Sequence, residues 1–225
     1  MQNKQYFLDF LSGNRTVNVI FEPFIRRTHT ETLIWRRSPL LWDTPEHYVD
    51  TLVALAPRTR ADVVFCDMRI FAGEEKEQLI DAIEHCPGES EIGFGVICDH
   101  AEDLEIAETS HAICSAAVYG NAISKRLPTI RMDGTLAEAI TRGDAGWYAS
   151  NNAKEALKTA DGRIRILGGL GRELVLRGSP VKIYEEVERL AAEYPGQWAC
   201  GSGFEIPDDN YLQLISILGA FGRIR

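Results

Sequence analysis

The stretch PTIRMDGTLAEAITRGDAGWYAS, residues 128–150, decides the fold. Residues 128–133 read as a strand, 135–142 as a helix and 146–150 as a second strand. Strands alternating this closely with helical patterns are the mark of βα units on a parallel sheet. Working outward, the same unit recurs. Further strands read at 17–23, 62–68, 91–99, 112–119, 163–168 and 198–206, with the weakest signal at 112–119. Helices read at 44–56, 74–85, 102–109, 153–159, 180–194 and 208–221 by period and capping. Thr44-Pro45 and Ser179-Pro180 are good helix starts, since proline suits a first helical position. In the helix at 180–194 the apolar Val181, Ile183, Tyr184, Val187, Leu190 and Ala191 fall at helical spacing, leaving Glu185, Glu186 and Arg189 to water. Eight strands wound in sequence predict α/β architecture as a compact (β/α)8 (TIM) barrel, one domain over residues 1–225, whose completeness the sequence leaves open. An open doubly wound sheet is the competing architecture. In either, an active site belongs at the carboxyl ends of the strands.

The chain has 225 residues, enough for one barrel core, with 45% hydrophobic and 25% charged residues, so it is expected to fold rather than stay disordered. No basic leader precedes an apolar run and no stretch is long enough to cross a bilayer, so neither secretion nor membrane insertion is expected. Five cysteines without a CxxC pair make a poor disulfide framework and fit a reducing, cytoplasmic compartment. The formal charge of −9 argues against nucleic acid as a partner.

Several residues carry possible chemistry. Alternation puts Val63, Phe65 and Asp67 on one face, so with Phe65 inside the barrel the Asp67 carboxylate points to the mouth. An acidic cap in the βα loop is the alternative use of that aspartate. Arg131 ends a strand, where an arginine can take a carboxylate or phosphate, or pair with Asp133 or Asp67. Arg26, Arg27, Arg36, Arg37 and Arg69 make a local positive excess that suggests a small anionic ligand. Glu22 and Glu205 sit near the ends of the first and last strands, neighbours in a closed barrel, as a rim acid or base or as salt-bridge partners. Tyr119 and Tyr148 are mouth positions. Cys66, Cys98, His100 and Cys200 lie near strand ends and suit zinc by type, yet their spacing follows no zinc pattern, so no metal is expected. Gly168-Gly-Leu-Gly171 reads either as a phosphate cradle or as a tight turn needing positive φ.

Three segments together resemble the uroporphyrinogen decarboxylase family, barrels that include corrinoid-dependent methyltransferases. Gly168-Gly169-Leu170, Leu176-Arg177-Gly178-Ser179-Pro180 and Cys200-Gly201-Ser202-Gly203-Phe204-Glu205-Ile206-Pro207 are similar to its C-terminal third. Pro128-Thr-Ile-Arg-Met-Asp-Gly134 with Gly143-Asp-Ala-Gly-Trp147 is similar to a strand ending His-x-Asp/Cys-Gly and the strand after it. Ala61-Asp-Val-Val-Phe-Cys-Asp67 looks like the strand that delivers the decarboxylases' essential aspartate. The resemblance implies a catalytic role for Asp67, and strand-end position adds Arg131 and Asp133 to it, with Glu22, Arg26, Arg27, Arg69, Tyr148, Gly169, Phe204 and Glu205 expected around the substrate. It implies a homodimer as well. The departures fall on chemistry: Arg131 stands where a histidine is usual, and Phe204 and Asp133 where the methyltransferases keep zinc-binding cysteines. Family members are longer, with the extra length between the third and fifth strands, so the chain reads as a shortened, divergent member.

Three functions follow as expectations. The first is cofactor-independent decarboxylation of a carboxylate-bearing substrate, tetrapyrrole or smaller, with Asp67 stabilising developing charge. The second is methyl transfer between a corrinoid carrier and a thiol, for which zinc would be needed. The third is a barrel that binds a small anion without catalysis.

Overall fold

The computed structural model describes residues 3–11, 43–59, 61–86 and 92–199. In chain order these form α1 (Asn3–Leu11), α2 (Pro45–Thr59), β1 (Val63–Asp67), a 3-10 turn (Met68–Ile70), α3 (Glu75–Glu84), β2 (Gly93–Cys98), α4 (Ala101–Ala107), β3 (Ile113–Val118), β4 (Thr129–Arg131), α5 (Leu136–Arg142), β5 (Trp147–Ser150), α6 (Ala153–Ala160), β6 (Arg165–Gly168), α7 (Arg172–Arg177), α8 (Pro180–Glu193) and β7 (Trp198–Ala199). Seven strands pair in parallel in the order β1-β2-β3-β4-β5-β6-β7. A doubly wound sheet reverses its strand order partway. No reversal occurs among the described strands. The predicted strand at 17–23, the helix at 208–221 and most of the strand at 198–206 lie outside the described residues.

The two faces of the sheet bury different things. Val63, Phe65, Ile97, Cys114, Ala117, Ile130, Trp147, Ala149, Leu167 and Ala199 form one cluster, joined by Phe7 of α1. The opposite face packs under the helices in two clusters. Val64, Cys66, Phe94, Val96 and Cys98 meet α2, α3 and α4, while Ile166 and Trp198 meet α5, α6, α7 and α8. A strand buried on both faces loses polar alternation. That is why β3, whose six residues are all buried, carries the weakest signal in the sequence. Gly95 is required by space: a Cβ there would come 2.4 Å from the Phe65 ring, which fills the inner face above it.

Caps set the helix starts as the sequence anticipates. Ser179 accepts from the Lys182 amide with Pro180 at the first position, and Thr44 accepts from the His47 amide ahead of Pro45. In α8 the side chains of Ile183, Val187 and Leu190 are wholly buried. Each contributes about 1.5–3 kcal/mol of hydrophobic stabilisation, far more than helix propensity. Val181, expected on the buried stripe, is instead 61% exposed, because 3.6 residues per turn puts it on the face roughly opposite Ile183 and Leu190. Two elements absent from the sequence reading, α1 and α7, are short, and a short helix shows too little periodicity to be recognised.

One βα unit is irregular. Between β3 and β4 the chain crosses through residues 119–128 without a helix, a stretch where the sequence marks none either. Glu108 at the end of α4 compensates: its Oε1 accepts from Ser124 Oγ (2.5 Å), the Lys125 amide (2.7 Å) and the Arg126 amide (3.2 Å). These bonds, the Ser124 one foremost, hold its carboxyl below the usual carboxylate range.

Candidate functional site

The carboxyl end of β1 places Asp67 on the face of Val63 and Phe65, toward the strand ends. Its amide donates to the Tyr48 hydroxyl of α2 (2.9 Å), which ties the strand end to the helix layer. Its carboxylate caps the turn at Met68–Ile70 by accepting from the Arg69 amide (3.0 Å). The same carboxylate takes the Arg69 guanidinium in a fork, Nε to Oδ1 at 2.8 Å and Nη2 to Oδ2 at 2.7 Å. Asp67 therefore faces the strand ends and caps the turn at once.

Arg69 is held on a second side. Its guanidinium carbon lies 4.5 Å from the centre of the Tyr119 ring, at the end of β3. Planar stacking of this kind suits arginine. The Asp67 hydrogen bonds, with the nearby charges of Asp67, Tyr119 and Asp99, raise the Arg69 pKa against the opposing effect of burial. Its remaining amino group, Nη1, has no partner among the described residues, and the side chain is 34% exposed. The result is a fixed cation with one free donor edge at the ends of β1 and β3. Beside it, Asp99 and His100 follow β2, with His100 Nε2 3.3 Å from Asp99 Oδ1 and both exposed.

Arg131 is placed differently from its expected position at the mouth. Ile130 and Met132 belong to the inner-face cluster, so alternation turns Arg131 toward the helices. There it is 3% exposed. Nη2 donates to Asp144 Oδ2 at 2.9 Å and Nη1 donates to the Gly120 carbonyl. Arg131 Nε and Asp144 Oδ1 are buried without partners. Asp133 accepts from the Gly120 amide at 2.7 Å. Arg131, Asp133, Gly120, Asn121, Glu138 and Arg142 line a cavity of about 230 Å³ against α5.

The remaining expected site residues scatter. Tyr148 packs with the helix-side cluster and donates to the Gly134 carbonyl (2.9 Å); burial, then Asp133 and Glu138, raise its pKa. Gly169 sits at φ +84° with its carbonyl accepting from the Ala153 amide (2.7 Å), and a Cβ there would lie 2.3 Å from Ala153 N. With Gly168 and Gly171 also at positive φ, the glycine run has the geometry of a tight turn. Glu22, Arg26, Arg27, Phe204 and Glu205 lie outside the described residues, as does Cys200. Tyr48, Gly120 and Asp144 escape a sequence reading, although apolar neighbours on both sides of Arg131 could have signalled its facing.

A zinc ion does not fit the positions the family resemblance implies. Arg131 is a buried cation already paired with Asp144, and Asp133 is engaged by Gly120. Among the described residues no group of three or more histidine, cysteine or acidic side chains is placed to hold a metal. Cys98 is a helix-side thiol pushed up to about 12 by burial and then by Asp103, Asp99 and Asp67, so it stays protonated at neutral pH. Among the described residues, too, no helix is long and apolar enough to cross a membrane.

No family model matches the chain, and no curated protein does. Solved structures similar to the chain include the following two. A candidate fructose-1,6-biphosphate aldolase from Coccidioides immitis overlays at a TM-score of 0.32 with 12% identity, covering 99% of this chain and 94% of that one, a score that carries no argument. A methyltransferase from Methanosarcina mazei overlays at a TM-score of 0.62 with 13% identity, covering 98% of this chain and 99% of that one. At that identity the likeness is one of fold: α/β, with a sequentially wound parallel sheet.

Proposed function

We propose that this chain is a methyltransferase-like enzyme on a (β/α)8 barrel, moving a methyl group from a corrinoid carrier to a small thiol whose anionic group docks on Arg69. The observation that carries the reading is the Asp67–Arg69–Tyr119 cluster at the strand ends: a guanidinium held in a fork and on a ring, with Nη1 left over for a ligand. Its end-to-end fold likeness to a methyltransferase supports this over decarboxylation. So does the state of Asp67, because a carboxylate already forked to an arginine is a poor free anion for charge developing on a substrate.

A methylated corrinoid would supply an electrophilic methyl group and keep the electron pair of the bond it gives up, while the acceptor thiol, held at Arg69, would react as its thiolate with its proton lost to solvent. Arg69 supplies orientation, since a charge-assisted bond to a carboxylate or sulfonate fixes the acceptor relative to the strand ends. The zinc expected to make the thiolate has no place at Arg131 and Asp133, so this reading takes an acceptor that reaches the site already as thiolate.

The test is anaerobic incubation of the full chain with methylcobalamin and 3-mercaptopropionate, following loss of the methylcobalamin spectrum and formation of the thioether. Turnover supports the reading. Release of carbon dioxide from a porphyrinogen polycarboxylate, with no demethylation, would overturn it in favour of decarboxylation; neither reaction would leave an anion-binding barrel.

A further inference from the structure

We propose that Arg131 and Asp133 form a clamp on Gly120 that seats Tyr119 beneath Arg69, and are positioning residues rather than ligands or catalysts. The inference rests on the Arg69 docking reading above and adds the residues that build it.

Gly120 is where the chain leaves the sheet after β3, at φ +71°, with no further ladder to satisfy its peptide groups. Two side chains from β4 and its end do so instead. Asp133 Oδ2 accepts from the Gly120 amide at 2.7 Å, and Arg131 Nη1 donates to the Gly120 carbonyl. One residue is thus gripped at both its donor and its acceptor. Arg131 is itself fixed by Asp144 Oδ2 at 2.9 Å, deep enough that the pair is 3% and 11% exposed. The grip therefore rests on a rigid anchor.

The adjacent residue is Tyr119. Its amide donates to the Cys98 carbonyl at 2.9 Å, which ties it to β2, while Gly120 ties it to the β4 side. With both flanks held, the ring has little freedom to leave Arg69, 4.5 Å above its centre. Past Gly120, residues 121–128 have no helix to stiffen them: Arg142 donates to the Asn121 side chain at 3.0 Å, and the next anchor is Glu108, which takes hold only from Ser124 onward. Without the clamp, Tyr119 would be the last anchored residue before an irregular crossover.

The chemistry asked of each position is narrow. Position 133 needs an acceptor oxygen and no charge; position 131 needs a cation that reaches Gly120 and Asp144 together. A metal ligand or an acid–base group at 133 would need the charge or the proton. Asparagine and alanine substitutions therefore separate the two roles.

The experiment is NMR of the ligand-free full chain for wild type, Asp133→Asn and Asp133→Ala. It reads exchange of the Gly120 amide and the ring-current shift that Tyr119 imposes on the Arg69 Nε proton. Asp133→Asn should keep both. Asp133→Ala should expose the Gly120 amide to exchange about tenfold faster, the loss of one hydrogen bond, and move the Arg69 proton toward its unstacked position. An Asp133→Asn variant as disturbed as Asp133→Ala would overturn the clamp, as would an Asp133→Ala variant with the Arg69 proton unmoved. Because no thiol or corrinoid is present, failure of the methyl-transfer reading shows separately, in the turnover assay.

Discussion

Two strand ends of this sheet carry the same kinds of charged residue and use them in opposite ways. At β1, Asp67 and Arg69 pair in the open, 22% and 34% exposed, and leave a donor edge unsatisfied. At β4, Arg131 and Asp144 pair while almost wholly buried, and Arg131 spends its remaining reach on a backbone carbonyl. Exposure sets the difference. A charge pair in contact with water gains little by pairing and stays available to a ligand. One taken out of water must be paired, and its removal strands the partner. The first arrangement suits recognition and the second suits construction.

The sharpest way to break the comparison is to delete one cation at each end. Arg131→Met leaves the Asp144 carboxylate buried and unpaired, and should lower stability by about 3–5 kcal/mol, read from the urea midpoint. Adding Asp144→Leu should return much of the loss. If the single variant loses less than ~1 kcal/mol, Arg131 is not the buried anchor described above.

Cys98, at the end of β2 between the two regions, sharpens the account through pH. Its thiol is raised from an ordinary 9.0 to about 12 in the folded chain. As pH climbs past the ordinary value, the unfolded chain loses this proton first, so stability falls with rising pH until about the folded value. Between pH 8 and 10 wild type should lose about 1 kcal/mol more than Cys98→Ala. Equal losses would mean that the thiol is not desolvated.

Glu108 tests the crossover that joins the two regions. Its folded pKa is lowered, so its contribution is present above the ordinary carboxylate value and is lost as pH falls through the folded one. Glu108→Ala should cost at most about 1 kcal/mol at pH 7 after solvent screening, with wild type and variant converging in acid. A gap that persists in acid would point to packing rather than charge. Smallest of all, Arg69→Met should change stability by less than ~1 kcal/mol while abolishing preference for an anionic ligand.

Much of the fold is legible in the sequence because it rests on periodicity. The runs at 62–68 through 163–168 land on β1 to β6, and the helix starts at Thr44-Pro45 and Ser179-Pro180 are observed caps. The facing of Asp67 follows from Val63 and Phe65 in the same way. What is not legible depends on contacts between elements. The Arg69–Asp67 fork needs the 3-10 turn to fold the chain back, and the Arg131–Asp144 pair needs β4 and the start of β5 side by side. The family resemblance placed Arg131 and Asp133 among catalytic residues by position, whereas their contacts are with Gly120 and Asp144. Spacing along the chain carries none of that.

The most direct test of the account is equilibrium binding of 3-mercaptopropionate against the neutral 2-mercaptoethanol, in wild type and in Arg69→Gln. Wild type should prefer the anionic thiol by at least about tenfold, the worth of one charge-assisted hydrogen bond, and Arg69→Gln should bind both alike. Equal affinities in wild type, or a preference that survives the substitution, would contradict it.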